Sequence, residues 1–429
     1  MVVDNFVKQA QRNPNMSALK TRDNSITYQQ LMEKVYEMAR YINDMGLDRN
    51  EPIGLAFPNS IEFVALMFAC ELNGHPSVLF GAALKSSELC YHVQNLGLRM
   101  VLACSKLTSE MEMTGARKVL SMEQNIDCWR FEGQSVTGEF VNGDFICQLT
   151  SGTNGIPKAA IRTEEAVWRE ISDIAKTFEL SEKDIVLTIP PIHHSYGLIG
   201  GTLTPLCFGA TTILLDGFMP AEVINVIETE HTSILFAVPF MYHILNKSMQ
   251  MRVADFSSLR LCLSAGAPMS RDIASEFLKY SGKFICQDYG STEAGTICLN
   301  LNTKEYEKTV GLPLGDHDIK IVGEHSIQLP VGETGEIWIK SDATARYYLY
   351  PKNLNDIAFN GKWFNTGDLG YVDKDGYIYI IGRKSSMINV AGLKVDPAEV
   401  EKVISKIPGV EEVAVVGIDS ETSGQVIKA

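Results

Sequence analysis

Residues 144–163, DFICQLTSGTNGIPKAAIRT, lead an apolar run into a short segment carrying Thr150, Ser151, Gly152, Thr153, Asn154, Gly155 and Lys158. This combination suits an anion. Glycines let the backbone come close, hydroxyls donate hydrogen bonds and the lysine supplies charge, which together describe a cradle for phosphates. It is not a Walker A loop, because Pro157 stands where G-x-x-x-x-G-K-[ST] requires glycine and Ala159 where it requires Ser or Thr. Taken alone, the segment reads equally well as a plain surface turn. A second group lies in QDYGSTEAG (287–295), where Tyr289 offers an aromatic face and Glu293 a hard carboxylate oxygen of the kind Mg²⁺ prefers. In isolation Tyr289 reads as a core residue and Glu293 as a helix-start carboxylate. The adjacent His193 and His194 make a poor metal site by themselves, since a third ligand is needed and the sequence offers none nearby.

These residues need a framework to position them, and the chain is long enough to build one. Its 429 residues, 45% hydrophobic and 21% charged, imply at least two domains with a sizeable core. Helical and strand patterns alternate, as they do when crossover helices cover parallel strands, so the expected class is α/β with a large N-terminal domain. TYQQLMEKVYEMARYINDMG and IEFVALMFACELNG read as helices ending at glycines, with EPIGLAF and HPSVLF as the strands that follow them. TTILLD, TSILFAVP, LRLCLSAG and KFICQDYG each read as a strand delivering a polar loop, the usual place for a ligand in such sheets. From about residue 310 to 383 short strands and turn signals predict a small β subdomain, and DKDG (373–376) reads as a hairpin turn.

A formal net charge of −14 argues against long-range attraction to nucleic acid or an anionic membrane. The nine cysteines are scattered without a C-x-x-C pair, as expected of reduced core thiols in a cytoplasmic protein. Asp4, Gln9 and Gln11 interrupt the start where an export signal would be apolar, and no stretch is long enough to span a membrane.

TSGTNGIPK resembles the signature loop, S/T-S-G-T-T-G-x-P-K-G, of the acyl-adenylate-forming superfamily, which includes acyl-CoA synthetases, nonribosomal-peptide adenylation domains and luciferase. Asn154 and Ala159 depart from that form. Further segments match in the family's order over nearly the whole chain. SAGAPM (264–269), with Gly266, Ala267 and Pro268, resembles the turn packed against adenine. QDYGSTEAG, with Asp288, Tyr289, Gly290, Thr292 and Glu293, resembles the segment that holds adenine and metal. The resemblance implies that Tyr289 stacks on the base, Thr292 meets phosphate and Glu293 helps hold Mg²⁺. The most recognisable stretch is WFNTGDLGYVDKDGYIYIIGRKSSMINVAGLKVDPAEVE (363–401). By that match Asp368 accepts from the ribose hydroxyls and Arg383 supports the ribose and phosphate side. The family pivots just beyond, at Lys384–Ser385, where Ser385 departs from the usual Asp or Lys.

IPPIHHSYGLIGG (189–201) is similar to the segment at the mouth of the family's acid pocket, which places His194 beside the substrate carboxylate with Ser195, Tyr196 and Gly197 lining the pocket. Amino-acid-activating relatives carry an aspartate at this turn. The neutral Ser195 therefore favours a fatty or aromatic acid. The implied activity is ATP- and Mg²⁺-dependent conversion of a small carboxylic acid to an acyl-AMP and pyrophosphate, followed by transfer to coenzyme A or to the phosphopantetheine of an acyl- or peptidyl-carrier protein. Lys158, His194, Glu293 and Arg383 are the expected catalytic residues. The alternatives are an amino-acid-activating domain, a luciferase, or a noncatalytic nucleotide-binding member. The resemblance also implies a division into residues 1–383 and the beginning of a mobile C-terminal domain, 384–429, expected to hold a hairpin around Val390–Val395, a helix from Asp396–Pro397 and the strand VEEVAVVGI. The family's catalytic lysine stands far along that domain, and Lys428 in QVIKA comes too early to match it, so a truncated chain is expected.

Overall fold

The computed structural model describes residues 1–105, 116–123, 126–131, 139–150, 157–301, 309–390, 393–410, 412–420 and 424–429. Ser151, Gly152, Thr153, Asn154 and Gly155 lie outside the described residues.

Parallel strands buried on both faces organise the larger part of the molecule. In one sheet of eight strands, Asp144–Thr150, Ser77–Gly81, Ile53–Phe57 and Met100–Cys104 run parallel in that spatial order. Lys158–Thr163 and Tyr347–Tyr350 extend its edge antiparallel. A second sheet of nine strands holds the parallel series Ile285–Ser291, Leu261–Ser264, Ile234–Ala237, Ile185–Thr188, Thr211–Leu214 and Ser17–Lys20. Its edge adds Gly295–Asn300 antiparallel to Ile285–Ser291.

The helix Ile61–Leu72 binds the two sheets together. Its sequence, IEFVALMFACEL, is apolar around nearly its whole circumference, which suits a helix with no solvent face. Nine of its residues are buried, in a core that draws Leu55, Leu79 and Ile146 from one sheet and Leu19 and Leu214 from the other. Ser60 caps its start by accepting from the Phe63 N–H at 3.2 Å. The helix Tyr28–Asn43 begins with a reciprocal capping box between Thr27 and Gln30.

The short strands of 310–383 form a five-stranded antiparallel sheet from Asp318–Val322, Gly335–Lys340, Trp363–Val372, Phe359–Asn360 and Ile378–Arg383. Two segments of this region go elsewhere. Leu312–Pro313 joins the nine-stranded sheet and Tyr347–Tyr350 the eight-stranded one. The hairpin turn read in DKDG is present, with the Asp373 carboxylate accepting from the Asp375 and Tyr377 N–H groups at 2.9 Å. After residue 383, a four-stranded sheet of Leu393–Val395, Ile388–Val390, Gly424–Lys428 and Val416–Ser420 accompanies the helix Pro397–Ile404. The strand expected over VEEVAVVGI begins only at Val416. None of the nine cysteines is in a disulfide, and eight are buried. Among the described residues no helix is long and apolar enough to cross a membrane.

Candidate active site

The strands Asp144–Thr150 and Lys158–Thr163 form a hairpin whose register sets Thr150 opposite Lys158. Lys158 therefore stands at the base of the Ser/Thr/Gly loop read from sequence. It is half-buried, its Nζ 3.4 Å from the Tyr348 hydroxyl and 5.1 Å from the centre of that ring. The Tyr348 hydroxyl in turn donates to Glu293 Oε1 at 2.6 Å. Burial, then the neighbouring Glu293 carboxylate, raise the pKa of this phenol far above its ordinary value, so it stays a donor.

Glu293 lies in the tight turn joining Ile285–Ser291 to Gly295–Asn300, with Thr292 half-buried beside it. The turn closes on the Ser291 hydroxyl, which accepts from the Ala294 N–H at 3.2 Å, and on Gly295, whose φ of +69° a side chain would resist. A Cβ at Gly295 would also stand 2.3 Å from Glu170 Oε2. Among the described residues there is no cluster of three or more His, Cys, Asp or Glu side chains fit to hold a metal. A lone buried carboxylate such as Glu293 nevertheless fits Mg²⁺, which commonly takes one or two carboxylates and fills its remaining positions with nucleotide phosphates and water.

A second linked group lies on the small sheet. Asp368 and Arg383 face each other across the hairpin of Trp363–Val372 and Ile378–Arg383. Arg383 Nη1 donates to Asp368 Oδ1 at 2.8 Å and to the Thr366 carbonyl at 3.0 Å. The Tyr289 hydroxyl donates to the other oxygen, Asp368 Oδ2, at 2.6 Å. The Thr366 hydroxyl fixes the backbone here, accepting from the Asp368 N–H at 3.0 Å and donating to the Ile337 carbonyl at 2.9 Å. Burial lowers the Arg383 pKa, but Asp368 outweighs it and Glu293 adds to the effect, so the net shift is upward. Lys158, Tyr348, Glu293, Arg383, Asp368 and Tyr289 thus form one neighbourhood assembled from both sheets of the large unit and the small β sheet.

SAGAPM and QDYG leave the nine-stranded sheet side by side, because Ser264 pairs with Gln287. Gly266, Ala267 and Pro268 are exposed above a buried Met269. Gly290 has no room for a side chain: a Cβ would lie 2.4 Å from the Gly295 carbonyl oxygen. Asp288 points to the opposite face from Tyr289, buried, with the Thr296 hydroxyl at 3.2 Å from its Oδ2. Burial, reinforced by Glu170, pushes its carboxyl up to about 8.

In the segment expected to meet the acid, Tyr196–Leu203 is π-helical, a form often found at functional positions. Gly197 packs so closely that a Cβ would meet the Pro190 and Pro191 carbonyls at 2.7 and 2.8 Å. The His193 and His194 rings lie 4.0 Å apart. Desolvation and this neighbour push the His193 imidazole down to about 4. Gln148, on the strand Asp144–Thr150, donates to the His193 carbonyl at 2.9 Å and accepts from the Ser195 hydroxyl at 2.6 Å. Tyr196 spends its hydroxyl on the Ala237 carbonyl at 3.2 Å and packs its ring 5.1 Å from Phe236.

Three contributors are absent from the motif reading. Gln148 ties the His193–Ser195 segment to the hairpin that carries Lys158. The ion pair Arg162–Glu170, at 2.6 Å and almost without solvent exposure, joins that hairpin to the helix Glu164–Thr177. Tyr348 links Lys158 to Glu293. Each sits in a locally unremarkable sequence, and RYYLYP (346–351) carries no spacing signal that singles out its second tyrosine.

The family model described as AMP-binding enzyme matches residues 6–349. Feruloyl-CoA synthase of Amycolatopsis is 29% identical over 99% of the chain and 87% of its own length. 2-Succinylbenzoate–CoA ligase of Bacillus licheniformis is 28% identical over 98% of the chain and 88% of its own. Among solved structures, the o-succinylbenzoate CoA synthetase of Bacillus subtilis in complex with ATP and magnesium superposes with a TM-score of 0.85 at 25% identity, over 99% of this chain and 88% of that one. ATP-bound MatB from Rhodopseudomonas palustris, at 22% identity and a TM-score of 0.86 over 100% and 88% of the two chains, shares the fold. The chain belongs to the AMP-binding enzyme family.

Proposed function

We infer that this protein is an AMP-forming acid–thiol ligase, activating a carboxylic acid with ATP and passing the acyl group to coenzyme A. The observation that carries this reading is the meeting of the two hydrogen-bonded groups, Lys158–Tyr348–Glu293 and Tyr289–Asp368–Arg383, in a member of the AMP-binding enzyme family. In the first step a carboxylate oxygen bonds to the α-phosphorus as the bond to the β-phosphate oxygen breaks and pyrophosphate leaves. In the second, the thiol sulfur bonds to the acyl carbon, AMP departs and the thiol proton passes to solvent. Both reactants of the first step are anions, so the site must oppose their repulsion. Lys158 and Arg383 place two cations there. Mg²⁺, when bound, would be held by Glu293 and neutralise phosphate charge. Asp368 would accept from the ribose hydroxyls, Tyr289 and the exposed Gly266–Pro268 turn would flank the base, and Thr150 and Thr292 would donate to phosphate.

His194, the more exposed histidine of the pair, would orient the acid, with Tyr196 and Gly197 behind it. The resemblance of CoA ligases for feruloyl, succinylbenzoyl and long-chain fatty groups supports an aromatic or fatty acid. In the same reading residues 384–429 move as a unit about Lys384–Ser385, and coenzyme A rather than a carrier-protein phosphopantetheine is the acceptor. Pyrophosphate release measured over a panel of aromatic, fatty and amino acids tests the first step, and thioester formation with coenzyme A or a loaded carrier protein tests the second. No pyrophosphate with any acid would overturn the assignment.

A further inference from the structure

Lys158, half-buried, and Glu293, buried, are oppositely charged and both reach the Tyr348 hydroxyl, yet they do not pair directly. Between them stands the Tyr348 hydroxyl, accepting from Lys158 Nζ at 3.4 Å and donating to Glu293 Oε1 at 2.6 Å. Resting on the reading of Glu293 as the Mg²⁺-facing carboxylate, we propose that Tyr348 is a positioning residue that keeps the Lys158 ammonium and the Glu293 carboxylate from closing into an ion pair, leaving one for phosphate and the other for the metal.

Everything around Tyr348 fixes its position. Its backbone is locked in both directions by Asn355, which accepts from the Tyr348 N–H at 2.7 Å and donates to the Tyr348 carbonyl at 2.9 Å. Its strand register sets it opposite Ala160, two residues from Lys158 along the phosphate-hairpin strand. The ring is 1% exposed and meets Phe359 edge-on at 5.4 Å. A phenol suits the gap because one oxygen can donate and accept at once. Its single proton goes to the carboxylate, which leaves only a lone pair for the lysine. The ammonium also lies 5.1 Å from the centre of the ring, on its hydroxyl side, within range of a weak attraction that does not neutralise it. Only Oε1 of Glu293 is engaged, and among the described residues nothing donates to Oε2. A metal-facing carboxylate with one oxygen tied to the protein and the other open is the usual outer-shell arrangement, and losing the outer partner typically costs 10–100-fold in metal affinity.

The test measures ATP binding by calorimetry at rising Mg²⁺, with no acid present, so turnover is not the readout. Tyr348→Phe keeps the ring and its packing and removes only the spacer oxygen. The expected result is a roughly tenfold rise in the Mg²⁺ concentration needed for half-maximal tightening of ATP binding. Adding Lys158→Met to Tyr348→Phe removes the competing cation and is expected to bring the Mg²⁺ requirement back toward wild type. Tyr348→Gln, which retains a donor toward Glu293, is expected to keep most of the affinity that the Phe variant loses, and it serves if the Phe variant does not fold. An unchanged Mg²⁺ titration in Tyr348→Phe overturns the proposal, as does a shift that Lys158→Met leaves untouched or that Tyr348→Gln fails to relieve. Glu293→Gln separates the two readings. If it shifts the titration while Tyr348→Phe does not, only the spacer role fails; if it does not, Glu293 is not the metal carboxylate and both fail.

Discussion

Replacing Asp368 with alanine should separate what this carboxylate does for the nucleotide from what it does for the protein. In the protein it accepts from the Tyr289 hydroxyl at 2.6 Å and from Arg383 at 2.8 Å. The Arg383 side chain is 43% exposed, so that pair contributes at most about 1 kcal/mol after solvent screening. Tyr289 matters more, because its hydroxyl is sheltered and loses a charged acceptor, a change that costs roughly 1–3 kcal/mol. The expected outcome is a protein that folds but melts a few degrees lower. For the nucleotide, removal of a carboxylate that accepts from the ribose costs about 1.5–3 kcal/mol, or roughly ten- to 150-fold in Kd. Asp368→Asn should divide the two effects, since an amide oxygen still accepts from Tyr289 while the charge facing the ribose is gone. Its melting temperature should stay near wild type and its affinity for ATP should fall between the other two. Calorimetry with ATP and Mg²⁺, paired with thermal melts of all three proteins, is sufficient. An Asp368→Ala protein with the lowered melting temperature but wild-type ATP affinity would confine Asp368 to a structural role and place the ribose elsewhere.

Glu293→Gln should raise the Mg²⁺ needed for pyrophosphate release, because one anionic ligand becomes neutral, and an identical Mg²⁺ titration would remove Glu293 from the metal site. His194→Ala should alter the KM and selectivity for the acid more than the affinity for ATP, and equal losses in both would contradict its placement on the acid side. Asp288, with its carboxyl pushed up to about 8, is protonated in the folded protein across a pH range where the unfolded chain ionises it, so its contribution to stability falls as pH rises toward 8. Asp288→Asn should therefore gain on wild type between pH 5 and pH 8, by an upper bound of about 4 kcal/mol at 1.36 kcal/mol per unit, and a constant difference in denaturant midpoints would refute this. Arg162→Met should destabilise by roughly 3–5 kcal/mol, because it strands the buried Glu170 carboxylate; a melting temperature equal to wild type would show that Glu170 is protonated or rescued by water.

Where a functional residue was readable in the sequence, its signal was local. The run before Lys158 announces a loop through its two glycines, Asn154 and Pro157, which disfavour helix and strand interiors, and the pairing of the flanking strands then brings Thr150 and Lys158 together. The same logic brings Asp368 near the end of the strand that carries Arg383, since DKDG is a turn whose own carboxylate closes it, but the exact pairing comes from a bulge between Leu369 and Gly370 that sets Asp368 opposite Arg383 rather than Gly382. The α/β alternation was likewise written in apolar patterning and the buried helix Ile61–Leu72 in a continuous apolar run ending near a glycine, and neither needs a partner to be recognised. What tertiary structure alone decided is which of these local pieces meet. Tyr348 lies 190 residues from Lys158 and 55 from Glu293, and only the edge pairing of Tyr347–Tyr350 with Lys158–Thr163 places its hydroxyl between them. Tyr289 could be read as a flat ring for a base, but not as the donor to Asp368, 79 residues away on a different sheet. Nor could sequence reveal that Asp288, one residue before Tyr289, turns to a buried face beside Glu170, because the direction of a strand side chain is fixed by register and by what packs against each face of the sheet.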